Sequence, residues 1–253
     1  MEKSTERFTG KADIYGKYRP SYPAALYDWL YNDIGMSPDS AIADIGAGTG
    51  LFTAPLAARG STVYAVEPNA DMRAKMARAL GEYANLRLVD APAEHTGLPD
   101  ASLDLVTVAQ AFHWFDADDF RTECQRILKP DGLVLLVWNL RDLDSPPARA
   151  TEDVKDAHCP AYEGRGGGQT ARDPEKFKAF FHGGAYATRV FDNPMTYDRA
   201  AYLGMSLSTS YAPAEGDPRR AAYLAALESV FAAYAVDGRL NIPTAAHVFI
   251  GRV

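Results

Sequence analysis

The stretch AIADIGAGTG, residues 41–50, places a short apolar strand directly before a turn with three glycines. A helix-compatible stretch follows through Ala58, so the local prediction is a strand, a glycine turn and a helix. In an open α/β sheet, a turn of this kind is where a nucleotide-like ligand binds, because glycine lets the backbone approach the ligand closely. A tight turn with no ligand is the alternative interpretation.

Strands and helices alternate on both sides of this turn. The expected strands are 41–45, 61–66, 86–89, 103–109, 133–138, 185–191 and 246–253, and the expected helices are 23–34, 69–80, 116–128 and 218–234. The fifth strand follows a predicted turn at Lys129–Gly132 and is continuously apolar, as a strand covered on both faces would be. This alternation predicts a parallel, doubly wound Rossmann-like sheet.

Composition and charge disfavour nucleic-acid-binding, membrane-spanning and disulfide-rich proteins. The chain has 253 residues and a formal net charge of -7, which disfavours binding to the phosphate backbone of nucleic acids. It has no apolar run long enough to span a membrane and no signal peptide, so we expect a cytoplasmic protein without a membrane partner. Cys124 and Cys159 are too few for a disulfide framework, and we expect Cys124 to be buried.

The glycine turn departs from two common nucleotide-binding motifs. The third glycine, Gly50, comes one residue too early for a dinucleotide fingerprint, and Leu51 stands where that fingerprint needs glycine. Neither this turn nor the glycine run at 164–168 ends in the Gly-Lys-Ser/Thr of a Walker loop. The pattern therefore disfavours NAD, FAD and ATP.

Three carboxylates indicate a different ligand. Glu67 follows the second strand and is placed to accept hydrogen bonds from both hydroxyls of a ribose. Asp44 puts negative charge beside the turn, which favours an ammonium or sulfonium group over a pyrophosphate. Asp90, at the end of the third strand, is placed to accept from an exocyclic adenine amine. Adenine, ribose and a cation together describe S-adenosylmethionine.

The motifs at 44–50, 66–69 and 89–91 resemble, in order and spacing, those of class I S-adenosylmethionine-dependent methyltransferases. The segments 18–23, 109–115 and 208–213 resemble the small-molecule group that includes trans-aconitate-type and cantharidin-type enzymes. The resemblance implies the strand order 3-2-1-4-5-7-6 with the seventh strand antiparallel. It also implies S-adenosylmethionine as cofactor and S-adenosylhomocysteine as product.

We therefore expect a single domain over residues 1–253. Residues 1–40 form an N-terminal segment that covers the cofactor, and residues 41–140 form the cofactor-binding core. Residues 141–184, which are interrupted by prolines and the glycine run, form an inserted lid, and residues 185–253 complete the sheet.

The candidate cofactor-binding residues come from the ends of the first four strands and from the N-terminal segment. They are Arg19, Asp44, Gly46, Ala47, Gly48, Gly50, Glu67, Pro68, Met72, Asp90, Ala91, Gln110 and Ala111. Arg19 could instead be a surface arginine, and Met72 could be core filler. Glu67 could be a solvated charge at a strand end.

The candidate acceptor side begins with the aromatic segment after the fourth strand. We expect His113 to be the catalytic candidate and Trp114, Ser210 and Tyr211 to bind the substrate. The alternative for Phe112, Trp114 and Phe115 is an aromatic ridge of the core. Asp116, Asp118 and Asp119 are expected to cap the next helix rather than bind a metal.

The expected activity is methyl transfer to a small-molecule acceptor. A carboxylate acceptor needs no base, whereas a hydroxyl would benefit from His113 as general base. The alternatives are a non-catalytic protein that binds the same cofactor and a Rossmann oxidoreductase. The oligomeric state does not follow from the sequence.

Overall fold

The computed structural model describes residues 21–160, Tyr162, Ala171 and residues 173–253. The predicted site residue Arg19 and most of the predicted N-terminal covering segment lie outside these residues. The described strands are β1 Ala41–Ile45, β2 Thr62–Val66, β3 Leu86–Val89, β4 Leu103–Ala109, β5 Leu128–Arg141, β6 Ala187–Asp192, β7 Met195–Tyr197, β8 Leu240–Ile242 and β9 Thr244–Gly251.

Seven of these strands form one sheet in the order β3-β2-β1-β4-β5-β9-β6. The first five strands run parallel, and β9 pairs antiparallel with both β5 and β6. Counted within this sheet, the order is 3-2-1-4-5-7-6 with the seventh strand antiparallel. The predicted α/β topology is therefore confirmed. The remaining strands, β7 and β8, pair with each other in a separate two-stranded sheet.

The described helices follow the predicted alternation, and three further ones lie in the second half of the chain. They are α1 Ala24–Asn32, α2 Thr53–Ala58, α3 Ala70–Leu80, α4 Ala117–Ile127, α5 Pro146–His158, α6 Pro174–Phe180, α7 Arg199–Leu207 and α8 Arg220–Tyr234. Local sequence sets the starts of α3 and α4, because the side chains of Asn69 and Asp116 accept hydrogen bonds from the first-turn N–H groups. The capping role predicted for Asp116 is confirmed.

β5 is longer than predicted, and residues 129–132 belong to it rather than to a preceding turn. Leu103 pairs with Leu128, and Leu105 pairs with Leu133, so the register between β4 and β5 shifts at this point. Pro130 and Gly132 therefore lie where the pairing between β4 and β5 is irregular, within β5 rather than before it. The predicted turn was wrong as a strand boundary, although it located the break in regular pairing.

The core falls into two parts. Both faces of the seven-stranded sheet are covered, with Trp138 and Phe120 in one buried cluster and Leu26 and Phe52 in another. A separate cluster joins α5, α7 and α8 to β7 and β8, and its described buried residues come from positions 148–242. We call this separate cluster the second core. Cys124 is fully buried, as predicted, and its burial raises the pKa of the thiol.

The predicted lid at 141–184 contains α5 and α6. The α5 residues Ala148, Thr151 and Lys155 are buried, and α5 packs against α8 in the second core. The role of this segment as a lid stays a prediction. In the described part of the chain, no helix has the length and apolar character needed to cross a membrane.

Candidate active site

The glycine turn after β1 has a backbone that only glycine adopts readily. Gly46, Gly48 and Gly50 have φ angles of +68°, +59° and +85°. The N–H groups of Gly46 and Ala47 both donate to the carbonyl of Val66, which ties the turn to the end of β2. The turn is thus fixed beside the carboxyl edge of the sheet.

Two of these glycines are also required by neighbouring side chains. A Cβ on Gly46 would lie 2.6 Å from Ala111 Cβ, and a Cβ on Gly50 would lie 2.6 Å from Leu80 Cδ1. Packing against the segment after β4 and against α3 therefore demands glycine at both positions, independently of any ligand.

A pocket opens beside the turn, with an empty volume of about 470 Å³ that is partly open to solvent. It is lined by Tyr22, Asp44, Gly46, Ala47, Gly48, Thr49, Leu51, Phe52, Ala109 and Gln110. Five of the predicted cofactor residues are thus brought together. Glu67, Asp90 and His113 are not among the described residues that line it.

Asp44 is fully buried at the end of β1. Its Oδ2 accepts a 2.6 Å hydrogen bond from Thr53 Oγ1, and its Oδ1 accepts one of 2.9 Å from Thr107 Oγ1. Burial raises the pKa of Asp44 to about 6, although these two hydroxyl donors lower it. Asp44 therefore joins β1 to α2 and β4 in addition to placing a carboxyl group beside the pocket.

Glu67 connects the glycine turn to the start of α3. Its Oε2 accepts from the Gly48 N–H and its Oε1 accepts from the Asn69 N–H, each at 2.9 Å. Its burial raises the pKa of this carboxyl, and these backbone donors oppose that rise. The interpretation of Glu67 as a solvated strand-end charge does not fit a side chain that is buried and held at both oxygens.

Arg73 of α3 is a residue that the sequence analysis missed. Its Nη1 donates to the Glu67 carbonyl at 2.7 Å, and its Nη2 lies 2.5 Å from Asp90 Oδ2. The ends of β2 and β3 are therefore linked by one guanidinium. The Asp90 side chain is 68% exposed, so it lies at the rim of the site. Met72, on the same helix, is buried.

The segment after β4 begins with a strained residue. Gln110 has φ +60°, which is unusual for a residue with a side chain, and its N–H donates to the Val137 carbonyl. Ala111 is buried against Gly46, as the Cβ position above shows. Strain of this kind is concentrated at ligand-binding positions, and Gln110 lines the pocket.

The aromatic residues that follow divide between core and rim. Phe112 is buried against Phe120 and Phe180, so the core interpretation is correct for this residue. His113 and Trp114 are half-buried, with ring centroids 4.7 Å apart. His113 belongs to a single helical turn after β4. This turn lies at the same edge of the sheet as the glycine turn.

The other predicted acceptor residues lie in a different part of the molecule. Ser210 and Tyr211 follow α7, and the Tyr211 ring packs on Tyr162 with centroids 4.6 Å apart. They are not among the described residues that line the pocket. Of the two remaining predicted cofactor residues, Pro68 follows Glu67 and is half-buried, and Ala91 is buried; neither is among the described residues that line the pocket.

Thr49 indicates that the pocket accommodates a polar ligand. Its hydroxyl is buried and lines the pocket, and it has no hydrogen-bond partner among the described residues. A buried hydroxyl without a partner is costly, and a ligand with a hydrogen-bonding group would satisfy it. The glycine turn, this hydroxyl and the buried carboxylates therefore fit a cofactor such as S-adenosylmethionine.

Comparison with known proteins shows that part of this chain is similar to methyltransferases. Residues 43–136 match the family model described as a methyltransferase domain. An uncharacterized methyltransferase of Mycobacterium tuberculosis is 40% identical over 137 residues, which is 53% of each chain. An uncharacterized methyltransferase-like protein of Schizosaccharomyces pombe is 34% identical over 145 residues, or 56% of each chain. The matches therefore span about half the length of these relatives.

Solved structures extend the likeness of the fold to most of the chain. A protein from Anaeromyxobacter dehalogenans that was proposed to be a type II methyltransferase superposes with a TM-score of 0.60 at 26% identity. This alignment covers 93% of the present chain and 98% of the other. The β1–β5 core and the strands that follow it thus share one architecture with that protein.

Proposed function

We propose that this chain is a class I S-adenosylmethionine-dependent methyltransferase that transfers a methyl group to a small-molecule acceptor, because its sheet and glycine turn have the arrangement of that class and residues 43–136 match a methyltransferase domain. The acceptor atom is a carboxylate or hydroxyl oxygen. The observation that carries this proposal is the buried Glu67 carboxylate bonded to the Gly48 N–H at the edge of the pocket.

The residues at this edge have distinct roles toward the cofactor. Glu67 accepts from the ribose hydroxyls, and Asp44 provides negative charge for the cationic end. The Thr49 hydroxyl and the strained Gln110 contact the methionine part. Arg73 holds Asp90 at the adenine end by bridging it to the Glu67 carbonyl. When bound, S-adenosylmethionine supplies an already activated methyl group on a sulfonium.

The protein then has to align the acceptor and exclude water, since the donor needs no further activation. A carboxylate acceptor is ionised at neutral pH and requires no proton transfer. A hydroxyl acceptor would lose its proton to His113, which lies after β4 at the same sheet edge as the pocket. His113 and Trp114 therefore stand on the acceptor side.

Binding and turnover test this proposal in two steps. Calorimetric titration of the full chain with S-adenosylhomocysteine should give saturable binding, and NAD at the same concentrations should give none. Incubation with methyl-labelled S-adenosylmethionine and pools of small acids and alcohols should then transfer label to at least one acceptor. Binding of NAD in preference to S-adenosylhomocysteine would identify an oxidoreductase, and binding without transfer would indicate a non-catalytic protein.

A further inference from the structure

We propose that Asn139 and Asn193 are positioning residues for the cofactor, because together they fix Tyr22 in the wall of the pocket. Both side chains donate to the carbonyl of Ser21, the residue before Tyr22. We call these two amides, with the carbonyl that they hold, the Ser21 latch. This inference rests on the proposed function, since the pocket is the proposed site for S-adenosylmethionine.

The Ser21 latch consists of two donors on one acceptor. The Ser21 carbonyl accepts from Asn193 Nδ2 at 2.9 Å and from Asn139 Nδ2 at 3.3 Å, and a carbonyl oxygen has two lone pairs for these bonds. Asn193 Nδ2 uses its second hydrogen to donate to Asn139 Oδ1 at 2.9 Å. The two amides therefore orient each other as well as the carbonyl.

The two amides come from strands that are not neighbours in the sheet. Asn139 lies near the end of β5 and Asn193 follows β6, with β9 between these strands. The backbone N–H of Asn193 donates to the carbonyl of Thr244, the first residue of β9, at 2.9 Å. The Ser21 latch is therefore anchored to the frame of the seven-stranded sheet.

Helix α1, which follows the latched residue, is attached to the protein by its own packing. Leu26 and Leu30 are fully buried and Trp29 nearly so, all in the cluster that contains Phe52. Burial of several large apolar side chains contributes far more stability than a half-exposed hydrogen bond does. The latch therefore orders the residues that precede the helix rather than the helix itself.

Tyr22 is the residue through which the latch reaches the pocket. The latched carbonyl belongs to the planar peptide group that also contains the nitrogen of Tyr22, so holding the carbonyl oxygen fixes where the Tyr22 side chain begins. The Tyr22 ring is half-buried, lines the pocket and meets the Phe52 ring edge-on, with centroids 4.9 Å apart. Phe52 lines the pocket as well. The latch thus sets one aromatic part of the pocket wall.

The end of β5 holds a second part of the same wall. The Val137 carbonyl, two residues before Asn139, accepts from the N–H of Gln110, the strained residue that lines the pocket. The last residues of β5 therefore position Gln110 directly and Tyr22 through the latch. Supporting hydrogen bonds of this kind keep the groups that contact a ligand in their binding geometry. The latch is one of two such supports from a single strand.

A double-mutant cycle on cofactor affinity tests the inference. Asn193→Ala in the full chain should weaken binding of S-adenosylhomocysteine about 3-fold to 10-fold, the range expected for the loss of one hydrogen bond. In a chain that also carries Tyr22→Ala, Asn193→Ala should change the affinity by less than about two-fold, because the ring that the latch positions is gone. Calorimetric titration of each variant with S-adenosylhomocysteine measures the dissociation constants.

Asn241→Ala is the matched control, because Asn241 lies on β8 with an exposed side chain. It should leave the affinity unchanged with or without the Tyr22 ring. Asn139→Ala serves if Asn193→Ala does not fold, since it removes the other donor to the same carbonyl and should show the same dependence on Tyr22.

A purely structural latch gives a different result. It would lower the free energy of unfolding of the folded latch variants and leave their dissociation constants unchanged. Unchanged affinity in Asn193→Ala or Asn139→Ala would therefore overturn the inference. An equal loss of affinity with and without the Tyr22 ring would also overturn it, because the latch would then not act through Tyr22.

The same titrations separate this inference from the proposed function. If the wild-type chain fails to bind S-adenosylhomocysteine, the proposed function is wrong and the latch has no cofactor to position. If the wild-type chain binds S-adenosylhomocysteine and the latch variants bind it equally well, only the role of the latch is wrong.

Discussion

The backbone N–H of Gly48 donates a 2.9 Å hydrogen bond to Oε2 of Glu67. This bond joins the glycine turn to the end of β2, and we propose that the same carboxylate also binds the ribose. Glu67→Ala should weaken binding of S-adenosylhomocysteine by about 1 to 3 kcal/mol, because it removes a charged acceptor from buried donors. Calorimetry measures the change, with the exposed Glu82→Ala as control. Unchanged affinity in Glu67→Ala would contradict the ribose role.

Gly50→Ala should destabilise the protein more than Gly35→Ala does. Both glycines have positive φ angles, +85° and +90°, so alanine is strained at either position. Only at Gly50 would the new Cβ also collide with Leu80 and Met76, whereas Gly35 has open space. We expect the additional loss in free energy of unfolding to be about 1 to 3 kcal/mol, measured by urea denaturation. Equal losses of unfolding free energy in the two variants would contradict the prediction, because they would show that Leu80 and Met76 move aside at no cost.

Asp44→Asn should change how stability depends on pH. The folded-state pKa of Asp44 is about 6, above its ordinary 3.8, so the protonated form favours the folded state. The stability that protonation contributes is complete below pH 3.8 and is lost as the pH rises through 6. The variant has no carboxyl group at this position and does not lose this stability. The unfolding free energy of the variant minus that of the wild type should therefore rise by up to about 3 kcal/mol between pH 4 and 7. Urea denaturation at several pH values measures this difference, and a difference that is constant with pH would contradict the prediction.

His113→Asn should spare cofactor binding and impair use of the acceptor. His113 lies after β4 but is not among the described residues that line the pocket beside the glycine turn. We expect the dissociation constant for S-adenosylhomocysteine to stay within about two-fold and the KM for the acceptor to rise. If His113 is instead a general base, kcat should fall by roughly 10² to 10⁴.

The exposed His95→Asn is the control for this comparison. Steady-state kinetics with an acceptor found by the labelled-methyl screen would distinguish the two roles. A parallel loss of cofactor affinity and activity in His113→Asn would contradict both and would move His113 to the donor site.

The sequence predicted β1 to β4 within one residue because each is a short apolar run with a clear break after it. The family resemblance supplied the strand order, which the sheet confirms. β7, β8 and α7 were missed for a physical reason. They are short and obtain their stability from packing in the second core, which local periodicity does not reveal.

Site residues were predicted correctly where the sequence motif itself indicates their role. They were missed where the role depends on contacts between distant parts of the chain. The glycine turn and Asp44 meet in one pocket, as the motif indicated. Arg73, in contrast, is an ordinary helical arginine in the sequence, and only the approach of β2 to β3 gives it two partners.

The division of the interior into two cores bears on how such a chain can diversify. The family match ends at residue 136, and the described buried residues of the second core begin at Ala148. Mutations that reshape the second core therefore fall outside the stretch that builds the glycine turn. Selection can therefore alter the second core while leaving the glycine turn untouched, and a chimera that exchanges the segment from β7 to β8, residues 195–242, between relatives would use the same freedom in the laboratory.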